Sequence, residues 1–273
     1  MRRLCAFRPS VRSVLACAFL LLLLACTACA LIWPEASGTS VQKSSSLQVD
    51  YSHAEDGYIM AKATASGKKY KLRIKFGDTT SDYNLNSEGE YEVFPLQMGS
   101  GSYSLSLYIC VSGKKYTAAG SLTLNCTVSS ETAPFLCPSQ YVPYTPETEA
   151  VALSNTLCAS LTADEEKFQA IRDYIKKNYR YDFLRALSVT PGQMPDVDYC
   201  TSQKMGICQD LAATAACMLR VQGIPTRLVI GYANGQYHAW NAVYLNGQYV
   251  TYDPTVDVGG ISGKVQYTVE RYY

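Results

Sequence analysis

The sequence carries almost no net charge and lacks the common motifs that bind phosphates, dinucleotides, haem or calcium. Lysine and arginine together number 24 and aspartate and glutamate 23, so no excess of positive charge would attract nucleic acid. No phosphate loop or glycine-rich dinucleotide motif occurs, and no series of spaced acidic residues ends in glutamate as a calcium loop does. We therefore predict a protein that uses no cofactor and binds no nucleic acid.

Histidine occurs only twice, which restricts any mechanism that needs an imidazole base. His53 lies near the N-terminus, whereas His238 lies between Cys208 and Asp253 in the sequence. Taken singly, these last three residues could be a buried thiol, a strand histidine and a turn aspartate. Together, in this order, they are typical of a thiol nucleophile, its base and the residue that orients the base. We predict that Cys208, His238 and Asp253 are catalytic.

The residues around Cys208 predict the start of a helix. Good helix formers follow Gly206 and continue to the stop signal at 223–225. Cys208 then lies in the first turn, where unpaired amides and the helix dipole favour a thiolate, although free thiols have a pKa of roughly 8.5. The backbone amide of Cys208 is also a natural donor to an oxyanion at this position.

Two Asn-Gly dipeptides separate three extended runs downstream and predict β-hairpins; they are Asn234-Gly235 and Asn246-Gly247. A two-residue turn at the second dipeptide places His238 opposite Thr255 and diagonal to Asp253 on one face, within reach of long side chains. A turn at the first places Gly231 opposite His238. The missing side chain at Gly231 would leave room for the imidazole.

Three segments in this region resemble the core of the transglutaminase-like superfamily; they are 206–212, 238–241 and 252–255. The connection at 223–227 also matches, and the resemblance extends over about 165–256. It implies a papain-like arrangement in which Cys208 forms an acyl-enzyme, His238 acts as base and Asp253 orients His238. Members of the family include hydrolases, cross-linking acyltransferases and proteins that have lost activity.

Three more residues are candidates for the oxyanion hole or the cleft. Papain-like enzymes place a glutamine shortly before the cysteine, so Gln203 could donate to the oxyanion, or it could be an exposed loop residue. Tyr181 lies where relatives often carry an aromatic residue and could pack internally or form a cleft wall. Trp240 could shield the imidazole, line the cleft or pack in the core.

The N-terminal segment combines basic residues with a long apolar run. Four arginines precede the 20 apolar-rich residues at 14–33, and no acidic residue occurs before Glu35. Such a segment is an export signal, long enough to cross a bilayer core, and its positive N-terminal side predicts that the rest faces outside. An uncleaved membrane anchor, a lipoprotein lipidated at Cys26 and plain cleavage stay open. All three predict an extracytoplasmic catalytic part, and the first two tether it to the membrane.

Composition and periodicity divide the chain into four parts: an export signal or anchor at 1–33, a flexible linker at 34–46, an immunoglobulin-like β-sandwich at 47–130 and a transglutaminase-like catalytic domain at 131–273. The predicted fold class is therefore α+β, with an antiparallel sandwich followed by a papain-like core of helices on an antiparallel sheet. In the second domain, a capping box at 162–165 predicts a helix to about Tyr179, with Phe168, Ile171 and Ile175 on its buried face.

Cysteine is abundant, with 11 residues, of which four lie in the export segment. Setting aside Cys208 leaves six, which permits up to three disulfides in an oxidising compartment. A zinc site could draw on Cys200, Cys208, Cys217 and His238, but their spacing lacks the close cysteine pair of structural zinc sites, so we predict no metal site.

The leading hypothesis is a membrane-tethered, extracytoplasmic cysteine hydrolase. It would act on a peptide, protein or cell-wall amide bond through a Cys208 acyl-enzyme. The alternatives are a cross-linking acyltransferase and an inactive binding or scaffold protein of the cell surface. The tyrosines of the sandwich could form a binding face, or could simply be half-buried strand residues.

Overall fold

The first half of the chain alternates apolar and polar residues and forms strands, as expected of sheets with one buried face. The computed structural model describes residues 33–190, 192–261 and 263–273, so the predicted export segment, except Trp33, and Cys26 lie outside the described residues. Eight strands come first: β1 (Val41–Ser44), β2 (Leu47–Asp50), β3 (Tyr58–Ala63), β4 (Tyr70–Phe76), β5 (Thr79–Leu85), β6 (Glu92–Pro95), β7 (Gly101–Ser112) and β8 (Lys115–Cys126).

These strands make two antiparallel four-stranded sheets, with strand orders β1-β2-β3-β6 and β5-β4-β7-β8. Buried side chains of both sheets, such as Val49 and Leu72, belong to one hydrophobic cluster, as in a sandwich. The composition of 34–46 predicts a flexible linker. Its residues 41–44 instead form β1, because they pair with β2.

Six α-helices follow in the described part: α1 (Glu149–Cys158), α2 (Asp164–Asn178), α3 (Phe183–Ser188), α4 (Val197–Gln203), α5 (Cys208–Arg220) and α6 (Pro254–Asp257). A 3-10 turn at Ala133–Leu136 precedes them. The strands among them are β9 (Arg180–Tyr181), β10 (Met205–Gly206), β11 (Thr226–Ala233), β12 (Gln236–Leu245), β13 (Gln248–Tyr252) and β14 (Tyr267–Tyr272). β9 pairs with β10 in parallel, and the other four form an antiparallel sheet in the order β13-β12-β11-β14. The fold class is α+β, as predicted.

The predicted buried face of α2 is largely confirmed, since Ile171 and Ile175 are buried and Phe168 is half-buried. The predicted capping box is wrong. The helix begins one residue later than the motif requires, so that Ala163 is the N-cap and no side chain caps the helix. Thr162 therefore lies one position outside the place from which its hydroxyl could accept an N-terminal amide.

Helix α5 is the centre of the second half. All its residues from Asp210 to Arg220 are buried, and its alanines let neighbouring elements approach closely. Arg220 is 1% exposed and donates to three backbone carbonyls. These belong to Thr226 at the start of β11, Cys137 in the connection after the sandwich and Tyr273 beyond β14. These bonds supply acceptors for a cation that burial would otherwise strongly destabilise.

The sandwich and the helical part pack as one compact unit. The ring of Tyr273 stacks on Tyr141 with 3.6 Å between centroids and meets Tyr83 of β5 edge-on. Arg227 of β11 lies over Phe135, in the connection between the two parts, at 4.6 Å. Within the ranges that the structure describes, no helix is both long and apolar enough to span a membrane.

Six of the described cysteines carry free thiols rather than the disulfides that the sequence permits. Most of these six lie on different elements; they are Cys110, Cys126, Cys158, Cys200, Cys208 and Cys217. Several behave as small buried hydrophobes, because burial raises the pKa of Cys126 to about 11 and of Cys200 to about 12. Cys217, in the middle of α5, is fully buried.

Candidate active site

The turn before α5 places Cys208 at a helix start, as predicted. Ile207 is the extended N-cap residue, and Cys208 is the first helical residue. Asp210 in the first turn accepts a hydrogen bond from the Ile207 amide at 3.2 Å, which closes the turn. The amide of Cys208 points out of the helix end without an intrahelical acceptor, so it is available to an oxyanion.

Asp210 is fully buried and holds this turn to the chain before it. Its Oδ1 accepts from the Asp196 amide at 3.0 Å and from the guanidinium of Arg185 at 3.3 Å. Burial raises the pKa of Asp210, and the amides of Asp196 and Ile207 and the charge of Arg185 oppose that rise. Asp210 therefore organises the turn that carries Cys208 through hydrogen bonds.

The two Asn-Gly turns set the strand registers that the sequence predicts. Gly231 pairs with His238 between β11 and β12. The reason for the glycine differs from the predicted one, because a Cβ there would lie 2.0 Å from the Thr268 carbonyl and 3.0 Å from the Trp240 ring. Gly231 thus permits the close approach of β14 rather than making room for the imidazole.

The second hairpin ends earlier than predicted. Pairing of β12 with β13 stops at Asn241 and Tyr252, so His238 does not face Thr255 across a strand. Pro254 has no backbone N–H to donate to the ladder, and Asp253 becomes the N-cap of α6, with its side chain accepting from the Thr255 amide at 2.9 Å. The helix cap, rather than a strand position, sets the direction of the carboxylate.

His238 and Asp253 meet directly. The Nε2 atom of His238 donates to Oδ2 of Asp253 at 2.8 Å, and the two residues are 5% and 7% exposed. Because Nε2 faces the carboxylate, Nδ1 is the ring nitrogen left for the thiol. The structure therefore brings the three side chains together, with the ring of His238 interacting with both Asp253 and Cys208.

The electrostatics of the imidazole favour its protonated form. Burial alone lowers the pKa of His238, but hydrogen bonds and negative charge from Asp253 and Cys208 raise it from 6.5 to about 9. A histidine that stays protonated at neutral pH stabilises a thiolate beside it. The arrangement therefore suits a thiolate–imidazolium pair.

The other sequence candidates lie at different distances from this centre. Tyr181 is half-buried, and burial and the charge of Cys208 raise its pKa to about 12. Trp240 is 2% exposed, with its ring nearly parallel to that of His238 at 6.1 Å, so it shields the imidazole rather than lining an open cleft. Gln203 ends α4 and is exposed, and its amide donates only to Ser202, at 3.4 Å, among the hydrogen bonds of the described residues.

Sequence reasoning missed two residues that position the triad. Tyr267 of β14 donates to Asp253 Oδ2 at 2.9 Å and packs on the ring of Trp240 at 4.8 Å. Asn241 of β12 donates to the Ala212 carbonyl of α5 at 3.0 Å and so links the strand of the base to the helix of the nucleophile. Asn241 lies within the histidine motif and could have been found there, whereas no sequence signal marks Tyr267.

No metal centre competes for these side chains in the described ranges. There, no group of three or more His, Cys, Asp or Glu side chains is placed to hold a metal ion.

The region that carries this site is similar in sequence to a known family. The transglutaminase-like superfamily matches residues 151–254. The uncharacterized protein YebA of Bacillus subtilis (strain 168) is 29% identical over 138 residues, which cover 41% of this chain and only 18% of YebA.

Two solved structures have low similarity over a larger share of the chain. The periplasmic domain of TgpA from Pseudomonas aeruginosa is 17% identical with a TM-score of 0.38, and the match covers 84% of this chain and 77% of that one. The transglutaminase of red sea bream is 13% identical with a TM-score of 0.28, and the match covers 72% and 48% of the two chains.

Proposed function

We propose that the protein is a cysteine-dependent hydrolase of peptide or other amide bonds, because residues 151–254 match the transglutaminase-like superfamily. The observation that carries this proposal is the buried imidazole of His238, held by Asp253 and raised to a pKa of about 9 beside Cys208. A structural histidine needs neither a thiol at a helix start nor a carboxylate behind it.

Acylation begins with the Cys208 thiolate. Its sulfur attacks the carbonyl carbon of the amide, and the negative charge that develops on the carbonyl oxygen faces the Cys208 amide. The C–N bond then breaks, and the amine leaves with the proton of the His238 imidazolium. The products of this half-reaction are a thioester on Cys208, a free amine and a neutral imidazole.

Deacylation uses the same imidazole as a base. Neutral His238 takes a proton from water, the oxygen attacks the thioester carbon, and the C–S bond breaks to release a carboxylic acid and regenerate the thiolate–imidazolium pair. A lysine amine in place of water would form a new amide instead. Hydrolysis and cross-linking therefore differ only in the acceptor.

The proposed setting is extracytoplasmic, with the catalytic part tethered to the membrane by the N-terminal segment. The arginines ahead of the apolar run at 14–33 support this location, and a lipidated Cys26 would give the same result. The substrate would then be a peptide, protein or cell-wall amide outside the cytoplasm. Mass measurement of membrane-extracted protein tests the tether, since an unmodified Cys26 in a processed chain contradicts lipidation.

Alkylation of the whole chain with iodoacetamide from pH 5 to 10 tests the catalytic proposal. Cys208 should react at acidic pH, where ordinary thiols do not, and Cys208→Ala and His238→Ala should each abolish this reaction. Cys110→Ala is the matched control, because Cys110 is a half-buried thiol far from the imidazole in sequence. Labelling at acidic pH that is unchanged in His238→Ala would contradict the proposed enzymatic activity and leave a binding or scaffold role.

A second measurement identifies the acceptor. The protein is incubated with peptide amides that acylate Cys208, with and without a primary amine, and the masses of the products are measured. A carboxylic acid formed in both reactions supports hydrolysis. A new amide that dominates whenever the amine is present shows an acyltransferase.

A further inference from the structure

The short helix α3 presents its apolar side chains to solvent. Phe183, Leu184 and Leu187 are 62%, 81% and 87% exposed, and Val189 just after the helix is 38% exposed. Positions 183 and 187 are four residues apart and 184 and 187 three, so these side chains share one side of the helix. We call these four residues the α3 face.

The inward side of α3 is polar, which reverses the usual arrangement of a surface helix. Arg185 points to the protein, where its guanidinium lies 4.5 Å from the ring centre of Tyr199 and bonds Asp210. Asp182 caps the helix by accepting from the Arg185 amide at 2.9 Å and from the Tyr199 hydroxyl at 3.2 Å. The helix is therefore held by specific polar contacts, and its apolar side chains are left outside.

The segment that carries the α3 face is joined to the chain on either side of Cys208. The ring of Phe183 meets that of Tyr181 edge-on at 4.9 Å, and Tyr181 of β9 pairs with Gly206 of β10, two residues before Cys208. Downstream of α3, the carbonyl of Gln193 accepts a hydrogen bond at 3.1 Å from the side-chain amide of Gln209, the residue after Cys208. The segment that carries the α3 face is thus fastened to the start of the nucleophile helix on both sides of α3.

A contiguous exposed apolar patch on a folded protein marks a surface that binds another molecule. The one charged side chain of α3, Arg185, is paired with Asp210 and so does not offer its charge on this face. A molecule that acylates Cys208 binds at the start of α5, to which the segment carrying the α3 face is attached. An uncharged, apolar portion of the acyl donor therefore fits the face better than a charged portion.

We propose that the α3 face binds aliphatic or aromatic side chains of the acyl donor, so that the substrate is a polypeptide with apolar residues beside the bond that Cys208 attacks. This inference rests on the proposed function of Cys208. It adds the class of substrate and names Leu184 and Leu187, the two most exposed members of the face, as residues that determine specificity.

Two peptidyl acyloxymethyl ketones of equal length and charge test it on the purified whole chain. One carries Leu-Phe-Leu-Gly before the reactive group and the other Ser-Asn-Ser-Gly. In both, the Cys208 thiolate forms a C–S bond to the methylene carbon while the C–O bond breaks and a carboxylate leaves. Each inactivation rate is divided by the iodoacetamide rate of the same variant, which removes differences in thiol reactivity.

The wild-type chain should react at least about tenfold faster with the apolar probe, the effect of burying one leucine-sized side chain. The double substitution Leu184→Ser and Leu187→Ser should remove most of that preference. Because both side chains are over four-fifths exposed, the substitutions remove no internal packing. Val111→Ser is the matched control, since Val111 is 61% exposed at the end of β7 in the sandwich, and it should keep the wild-type preference.

Equal rates with both probes in the wild type, or an apolar preference that survives the double substitution, would overturn the inference. So would a double variant that keeps its probe preference but loses binding to phosphatidylglycerol vesicles or loses self-association, because the face would then contact a membrane or a second copy. Failure of the proposed function looks different. In that case iodoacetamide labelling of the wild type at acidic pH does not depend on His238.

Discussion

Replacing Asp253 with asparagine should sharply reduce the reactivity of Cys208 at acidic pH. Three donors converge on the carboxylate: the His238 ring and the Tyr267 hydroxyl on Oδ2 and the Thr255 amide on Oδ1. An asparagine has the same shape but only one acceptor oxygen, so its NH2 group must face at least one of these donors. The substitution removes both the negative charge and part of the hydrogen bonding that favour the imidazolium.

The size of the effect follows from the pKa of His238. Its rise from 6.5 to about 9 corresponds to about 3 kcal/mol in favour of the imidazolium, of which Asp253 and Cys208 are the sources. We expect the Asp253→Asn substitution to lower this pKa by at least about one pH unit. Each unit lowers the ratio of the thiolate–imidazolium pair to the neutral thiol–imidazole pair about tenfold.

The assay is the second-order rate of iodoacetamide alkylation at Cys208 from pH 5 to 10. The wild type should show acid-range reactivity and an inflection near pH 9, whereas the Asp253→Asn chain should lose acid-range reactivity about tenfold or more. Asp173→Asn, an exposed carboxylate on α2, is the control for the change in net charge. An unchanged profile in the Asp253→Asn chain would show that the carboxylate does not hold the imidazole, and the catalytic assignment would fail with it.

Three further predictions concern residues around the triad. Tyr267→Phe removes one hydrogen-bond donor from the Asp253 carboxylate, so the inflection near pH 9 should move to higher pH. Urea denaturation should show a loss of about 1 kcal/mol in the free energy of unfolding. A pH profile identical to that of the wild type would exclude Tyr267 as a positioning residue. Arg185→Met leaves the buried carboxylate of Asp210 without its cation and should cost about 3–5 kcal/mol of unfolding free energy, so a neutral result would mean that the pair is not buried in solution. Gly231→Ala forces a Cβ against the Thr268 carbonyl and should lower the free energy of unfolding by about 1–3 kcal/mol. A melting temperature equal to that of the wild type would show that β14 does not lie against Gly231.

Local signals explain why much of the site was predictable. An Asn-Gly pair between extended runs permits few turn geometries, so the pairing of Gly231 with His238 followed from counting residues. The stop signal after residue 220 and the good helix formers before it located α5 and hence Cys208 at its start. The predicted core at 165–256 also agrees with the matched region at 151–254.

The errors came where a local pattern had two physical solutions. The motif at 162–165 could cap a helix at Thr162, but the helix starts one residue later. Pairing after Tyr252 could have continued as a strand, but Pro254 ends the ladder and Asp253 caps α6 instead. An even number of cysteines permits disulfides, yet whether two thiols meet depends on elements that are distant in sequence.

The sequence by itself determined the order of the candidate catalytic residues, the helix that carries Cys208 and the hairpin that carries His238, because turns, helix starts and strand alternation act over a few residues. Only the tertiary structure decided what surrounds them. Tyr267 reaches Asp253 because β14 returns to pair with β11, and the α3 face is exposed because Arg185 turns inward to a carboxylate 25 residues away. Such contacts join segments whose separation along the chain carries no local signal, so no pattern of neighbouring residues could indicate them.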